Sequence, residues 1–115
     1  MDENSILLTI KHKLGGIVNE ESYFDSDLID YINSAFTKLW QLGVGPQDEP
    51  FKITGESETW DDFDCEFEMV KEYVYLDVLT VFDTPQNSTV LQAYKDRKFE
   101  DEWRLNIMSE EKRDG

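Results

Sequence analysis

The stretch SDLIDYINSAFTKLWQL, residues 26–42, decides the fold. Its apolar residues recur at helical spacing and form one continuous stripe, while polar side chains occupy the remaining positions. The stripe consists of Leu28, Ile29, Ile32, Ala35, Phe36, Leu39 and Leu42. Asp25, Ser26 and Asp27 are all competent N-caps, and Gly43 stands where a left-handed C-cap residue belongs. The pattern therefore predicts an amphipathic helix that packs one face on a core.

Three further segments with helical periodicity flank this helix. They cover residues 5–14, 61–82 and 88–108. The first is so short that it needs tertiary contacts to persist. The long segment is nearly apolar from Tyr73 to Phe82, so we expect it to be covered on most sides, by the chain's own core or by another subunit. Together the four segments predict an all-α fold, a small bundle of about four helices.

The connection between the second and third helices has a different composition. Glycines and prolines surround the acidic residues at 48–49, and Phe51 to Thr54 alternate apolar and polar side chains before Gly55. Alternation of this kind is typical of a strand, and the glycines and prolines are typical of turns. The segment therefore predicts a long, partly extended loop or a short β-hairpin. A connection of this length in a compact domain is usually functional or disordered.

Length and charge bound the possible roles. The 115 residues allow one domain, which we expect at residues 1–108, followed by a polar, flexible tail at 109–115. The formal net charge is −15, from 11 basic and 26 acidic residues. Unaided binding to nucleic acid or to an anionic membrane needs an excess of Lys and Arg, which this chain lacks. A basic partner, or an assembly that tolerates acid, fits better.

The residues that usually carry chemistry are sparse. His12 is the only histidine, and Cys65 stands between two acids that disfavour its thiolate. The acidic run at 61–68 lacks the glycine and the spacing of a calcium loop, and the lone cysteine and histidine cannot build a zinc site. We therefore expect no enzyme activity, no cofactor and no metal. The single cysteine cannot form an internal disulfide, which favours the cytoplasm.

Short motifs in a fixed order resemble one family of phage proteins. In the second half they are YVYLDV at 73–78, FDTP at 82–85 and EWRLN at 102–106. In the first half they are LG at 14–15, SDLI at 26–29 and GVGP at 43–46. Their order and spacing over residues 5–108 resemble the head–tail connector family, the adaptor or head-completion proteins of siphophages and Gram-positive prophages. Thr84 departs from the family, which often has proline there.

The resemblance implies a structural role in the virion. It implies a mostly helical, non-enzymatic protein at the head–tail junction, made in the host cytoplasm and independent of membranes. About a dozen copies would form a ring beneath the portal protein. The ring would extend the DNA channel, let DNA pass without specific binding, and dock the next head-completion or tail protein.

Three groups of residues are the candidate contact sites. The resemblance implies portal contacts through the last helix, at Trp103, Arg104, Leu105 and Ile107. The apolar third helix suggests subunit contacts at Tyr73, Tyr75, Val78 and Phe82. The loop would face the channel or the next ring, with Phe51, Ile53, Glu56, Glu58, Trp60, Asp61 and Asp62.

Two interpretations of the acidity are open. In a ring, acidic residues of the loop would line the channel and repel DNA phosphates, so that the duplex slides without sticking. In the alternative, the chain is an acidic mimic of DNA, or another small acidic phage protein, that binds a basic host protein. A mimic requires carboxylates spaced like phosphates on one exposed face.

Overall fold

The fold of the chain was taken from a computed structural model, which describes residues 5–15, 22–45, 47–63, 68–82 and 88–114. Within those ranges the regular elements are all helical, and no strand is present. The helices are α1 (Ile6–Leu14), α2 (Asp25–Gln41), α3 (Trp60–Phe63), α4 (Met69–Phe82) and α5 (Ser88–Asp114). The prediction of a small all-α bundle is confirmed. None of these helices is long and apolar enough to cross a membrane.

The ends of α1 and α2 follow from local chemistry. The Ser5 hydroxyl accepts a hydrogen bond from the Leu8 backbone N–H and caps α1, and Gly15 ends it with φ at +69°. α2 begins without a side-chain cap, so Asp25 and Asp27 lie inside its first turn, where their charge suits the helix dipole. The predicted caps of α2 are therefore first-turn residues instead.

The predicted single helix over 61–82 is wrong, because α3 and α4 are separate helices and Glu68 lies in a turn. Thr59 and Asp62 form a reciprocal cap that starts α3. Each backbone N–H donates to the other residue's side-chain oxygen, at 2.9 and 3.2 Å. Phe63 then packs on Phe36 with ring centroids 4.8 Å apart. The short α3 therefore packs into the aromatic cluster and does not form one helix with α4.

The last helix is longer than its apolar pattern predicts. α5 runs to Asp114, whereas the periodicity ends near residue 108. Ser109, the first residue of the expected tail, is helical and buried. Ser109 is a polar residue on the inner face of the helix. The apolar pattern in the sequence therefore ends before the helix does. The division into a domain and a tail stays a prediction.

The core is built around α2 and α4. α4 packs against both α2 and α5, and α1 contacts both α2 and α4. Phe36 of α2 is fully buried at the centre of an aromatic cluster that contains Phe51, Trp60 and Phe63. A Cβ on Gly45 would lie 2.4 Å from the Phe63 ring, so the cluster also needs glycine at that position.

The loop from Gln47 to Thr59 forms no strand among the described residues. Its β-hairpin alternative is not observed, and Ser5 with Thr59 forms only an isolated bridge. The side chain of Asn33 in α2 makes the two backbone hydrogen bonds that a neighbouring strand would make. Its Nδ2 donates to the Ile53 carbonyl oxygen at 3.0 Å, and the Ile53 N–H donates to its Oδ1 at 2.7 Å. Ser5 Oγ donates to the Glu56 carbonyl oxygen at 2.8 Å.

Replacing Asn33 with alanine is expected to lower the free energy of unfolding by about 1–3 kcal/mol, because it leaves both backbone groups of Ile53 without their partner. Urea unfolding measures the change, and proteolysis within residues 47–59 should become faster. Ser34→Ala is the matched control, since Ser34 is the adjacent, exposed residue. Equal stability of the two variants would mean that the Asn33 amide does not hold the loop.

Candidate functional site

An exposed aromatic pair marks the outer face of α5. Phe99 and Trp103, one helical turn apart, are 64% and 62% exposed. Arg104 is exposed beside them and pairs with Glu100 at 2.7 Å. Ile107 is half-buried. Large exposed aromatic side chains on one helix face are typical of a protein-binding surface. We call Phe99, Trp103, Arg104 and Ile107 the outer face of α5.

Leu105 does not belong to this surface, although the sequence placed it there. Its side chain is fully buried, and it is part of the main core. Successive residues of a helix point about 100° apart, so Leu105 turns inward while Trp103 and Arg104 point out. The sequence analysis missed Phe99. Its position four residues before Trp103 was the available signal.

The inner face of α5 is held mainly by polar contacts. The carboxylate of Asp77 in α4 is buried, and its Oδ1 lies 2.8 Å from both Lys38 Nζ of α2 and Lys98 Nζ of α5. The Tyr73 hydroxyl donates to Glu102 Oε2 at 2.7 Å. Burial and the Glu102 carboxylate raise the pKa of Tyr73, so its phenol stays protonated as the donor. Among the described side chains of α5, Leu105 is the only buried apolar one.

Of the predicted subunit contacts on α4, some are buried in the chain's own core and others are accessible. Tyr73 and Val78 are fully buried, so they belong to the chain's own core instead of its surface. The physical reason is that α4 packs against both α2 and α5. Tyr75 is half-buried, with Lys13 Nζ 5.7 Å from its ring centroid. The Phe82 side chain lies outside the described part. Val81, which the sequence analysis did not select, is 52% exposed.

The loop residues form an inner and an outer set. Ile53 and Trp60 are buried, Phe51 is half-buried, and Trp60 Nε1 donates to Thr9 Oγ1 at 3.2 Å. These three side chains therefore anchor the loop to the core. Glu56, Asp61, Asp62, Asp48 and Glu49 are exposed.

Glu58 is half-buried near the exposed acids. Burial raises its pKa, but hydrogen bonds from Thr54 and the Gly55 N–H outweigh this effect and leave the pKa below its ordinary value. The carboxylate is therefore charged at neutral pH. Nearby, residues Asp48 to Lys52 line an open groove of about 760 Å³. The outer surface of the loop is thus strongly acidic.

The described residues hold no cluster of metal-binding side chains. No group of three or more His, Cys, Asp or Glu residues in these ranges could hold a metal ion. His12 is exposed at the end of α1, and Cys65 lies outside the described residues. The arrangement offers contact surfaces, namely the outer face of α5 and the acidic loop.

Comparison with known proteins gives one family match. The sequence model of a family described as phage connector protein matches residues 6–112. No curated protein and no solved structure matches the chain significantly. The matched range runs from the first residue of α1 almost to the end of α5, and so includes the outer face and the acidic loop.

Proposed function

Because the chain belongs to the phage connector protein family, we propose that it forms a ring beneath the portal protein at the head–tail junction. The ring of about a dozen copies extends the DNA channel and docks the next head-completion or tail protein. The family is structural, and it gives this chain the role of a head–tail connector in the virion. Family membership also favours this role over that of an acidic DNA mimic.

The outer face of α5 is the observation that carries the portal contact in this proposal. Trp and Arg are enriched among the residues that dominate binding energy, and Trp103 and Arg104 are both exposed. Charge supports the same face. Residues 1–87 contain 5 basic and 19 acidic residues, a net charge of −14, whereas residues 88–114 contain 6 and 7, a net charge of −1. α5 can therefore approach a partner with little electrostatic repulsion.

The acidic loop is proposed to face the channel or the next ring. Residues 47–62 contain six acids and one lysine. Glu56, Asp61 and Asp62 are exposed, and the loop is anchored behind them by buried Ile53 and Trp60. Like charges repel within the screening distance of roughly 8–10 Å at physiological salt, so this surface would keep DNA phosphates from adhering.

Contacts between neighbouring copies are proposed at the accessible part of α4. Tyr75 is half-buried and Val81 exposed, and they replace the buried Tyr73 and Val78 in this role. Phe82 stays a predicted member of the set. A ring requires two different patches on each subunit, so a second surface must meet this one. Such a ring can depend on the portal for its assembly, and a monomer in isolation is compatible with the proposal.

Trp103→Ala is expected to weaken binding to the portal protein of the same phage by at least about tenfold, as truncation of a central aromatic contact does. Its free energy of unfolding should change by less than about 0.5 kcal/mol, since the side chain is 62% exposed. Co-purification and titration with the portal measure the binding. Tyr23→Ala, at an aromatic residue that is 83% exposed outside α5, is the control. Equal portal binding by both variants contradicts the contact.

A further inference from the structure

One buried and one partly exposed carboxyl group lie between α4 and α5. The Asp101 carboxyl of α5 is 2% exposed, and the Arg97 guanidinium beside it also pairs with Glu72 of α4, whose side chain is 37% exposed. The Asp101 Oδ2 atom is buried and has no hydrogen-bond partner among the described residues. An ionised carboxylate in such a place would carry an unsatisfied oxygen and face a second negative charge, and both are unfavourable.

The guanidinium of Arg97 is shared between the two acids. Arg97 lies 3.0 Å from Glu72 Oε1 and 3.8 Å from Asp101 Oδ1, and its side chain is 59% exposed. It therefore pairs mainly with Glu72. Glu100, on the same helix, adds further negative charge. Lys98 of α5 and Lys38 of α2 both bind Asp77 instead of these two acids.

We propose that the protonated Asp101 carboxyl and the Glu72 carboxylate form a pH-sensitive latch that holds α5 on α4. In the closed state the protonated Asp101 carboxyl donates to the Glu72 carboxylate, and Arg97 balances the remaining charge. Loss of the proton leaves two carboxylates and one partly exposed guanidinium between the helices. The hold on α5 weakens, because apolar burial on its inner face is small.

The direction of the pH dependence follows from linkage. Burial first, and then the hydrogen bond and charge of Glu72, raise the pKa of Asp101 from 3.8 to about 7. A carboxyl whose pKa is raised by folding binds its proton more tightly in the folded chain. The contribution to stability is therefore greatest at low pH, falls as pH rises from about 4 to 7, and levels off above that.

The latch has a consequence for the proposed connector role, although it does not depend on that role. α5 also carries the outer face, so the same helix links the latch to the proposed portal contact. Near neutral pH, a small change in pH would change how strongly α5 packs on α4.

Urea unfolding at pH 5 and pH 8 tests the latch. Between these values the folding equilibrium constant of the wild type should fall about a hundredfold more than that of Asp101→Asn. Glu72→Gln should reduce the extra fall, because it removes the facing charge. Asp96→Asn is the control. Asp96 is an exposed residue of the same helix, bonded to Gln92, and its variant should behave as the wild type.

Carbon-13 NMR of the wild-type carboxyl groups supplies a test that does not depend on any variant folding. The Asp101 resonance should titrate near neutral pH. Titration of Asp101 below pH 5, or equal pH dependence of the wild type and Asp101→Asn, overturns the latch. Neither result bears on the connector role, which portal binding tests separately.

Discussion

Replacing Phe36 with alanine is expected to lower the free energy of unfolding by about 3–5 kcal/mol, the usual cost of deleting a large buried aromatic side chain. Phe36 is fully buried, and its ring centroid lies 4.8 Å from that of Phe63 and 5.1 Å from that of Phe51. Trp60 lies 6.1 Å away on the same measure. The substitution therefore removes the side chain that joins α2, α3 and the loop.

Urea unfolding followed by circular dichroism measures this loss. Phe99→Ala is the matched control, because it deletes the same atoms from a side chain that is 64% exposed. We expect that control to stay within about 0.5 kcal/mol of the wild type. If Phe36→Ala were as mild as Phe99→Ala, the aromatic cluster would not be the centre of the core.

Asp77→Asn is expected to cost about 2–3 kcal/mol, because it removes the one anion that two lysines share. Asp77 is 3% exposed, so its charge is balanced by protein and not by water. The loss falls below the full range for a broken buried ion pair, since the Lys38 side chain is 43% exposed and can turn to solvent.

Single lysine variants sharpen this test. Lys38→Met and Lys98→Met should each cost less than Asp77→Asn, because the other lysine still neutralises the carboxylate. Thermal or urea unfolding gives the ranking, with the exposed Asp96→Asn as control. A larger loss from either lysine than from Asp77 would contradict the view that the shared anion organises α2, α4 and α5.

Local sequence predicts much of this fold because helical stripes bury one face. The stripe in residues 26–42 gives α2 with its buried Leu28, Ile32, Phe36 and Leu39. The break between α3 and α4 was not predictable from periodicity, since the apolar spacing continues across it. The signal that was present is the capping pair Thr59 and Asp62, which marks a helix start and says nothing of a stop.

The contact residues were harder to predict than the helices. Trp103 and Arg104 are exposed as expected, while Tyr73, Val78 and Leu105 are buried, because an apolar side chain on a helix suits a core and an interface equally. Partners distant in sequence decide the difference. Asp77 meets lysines 39 and 21 residues away, and no local pattern encodes those contacts.

Electron microscopy of the protein mixed with the portal of the same phage tests the connector role most directly. The account predicts a closed ring of this chain beneath the portal, with the outer face of α5 against the portal and the acidic loop toward the channel or the next ring. Portal particles that carry no added ring at saturating concentrations of a folded chain would contradict it.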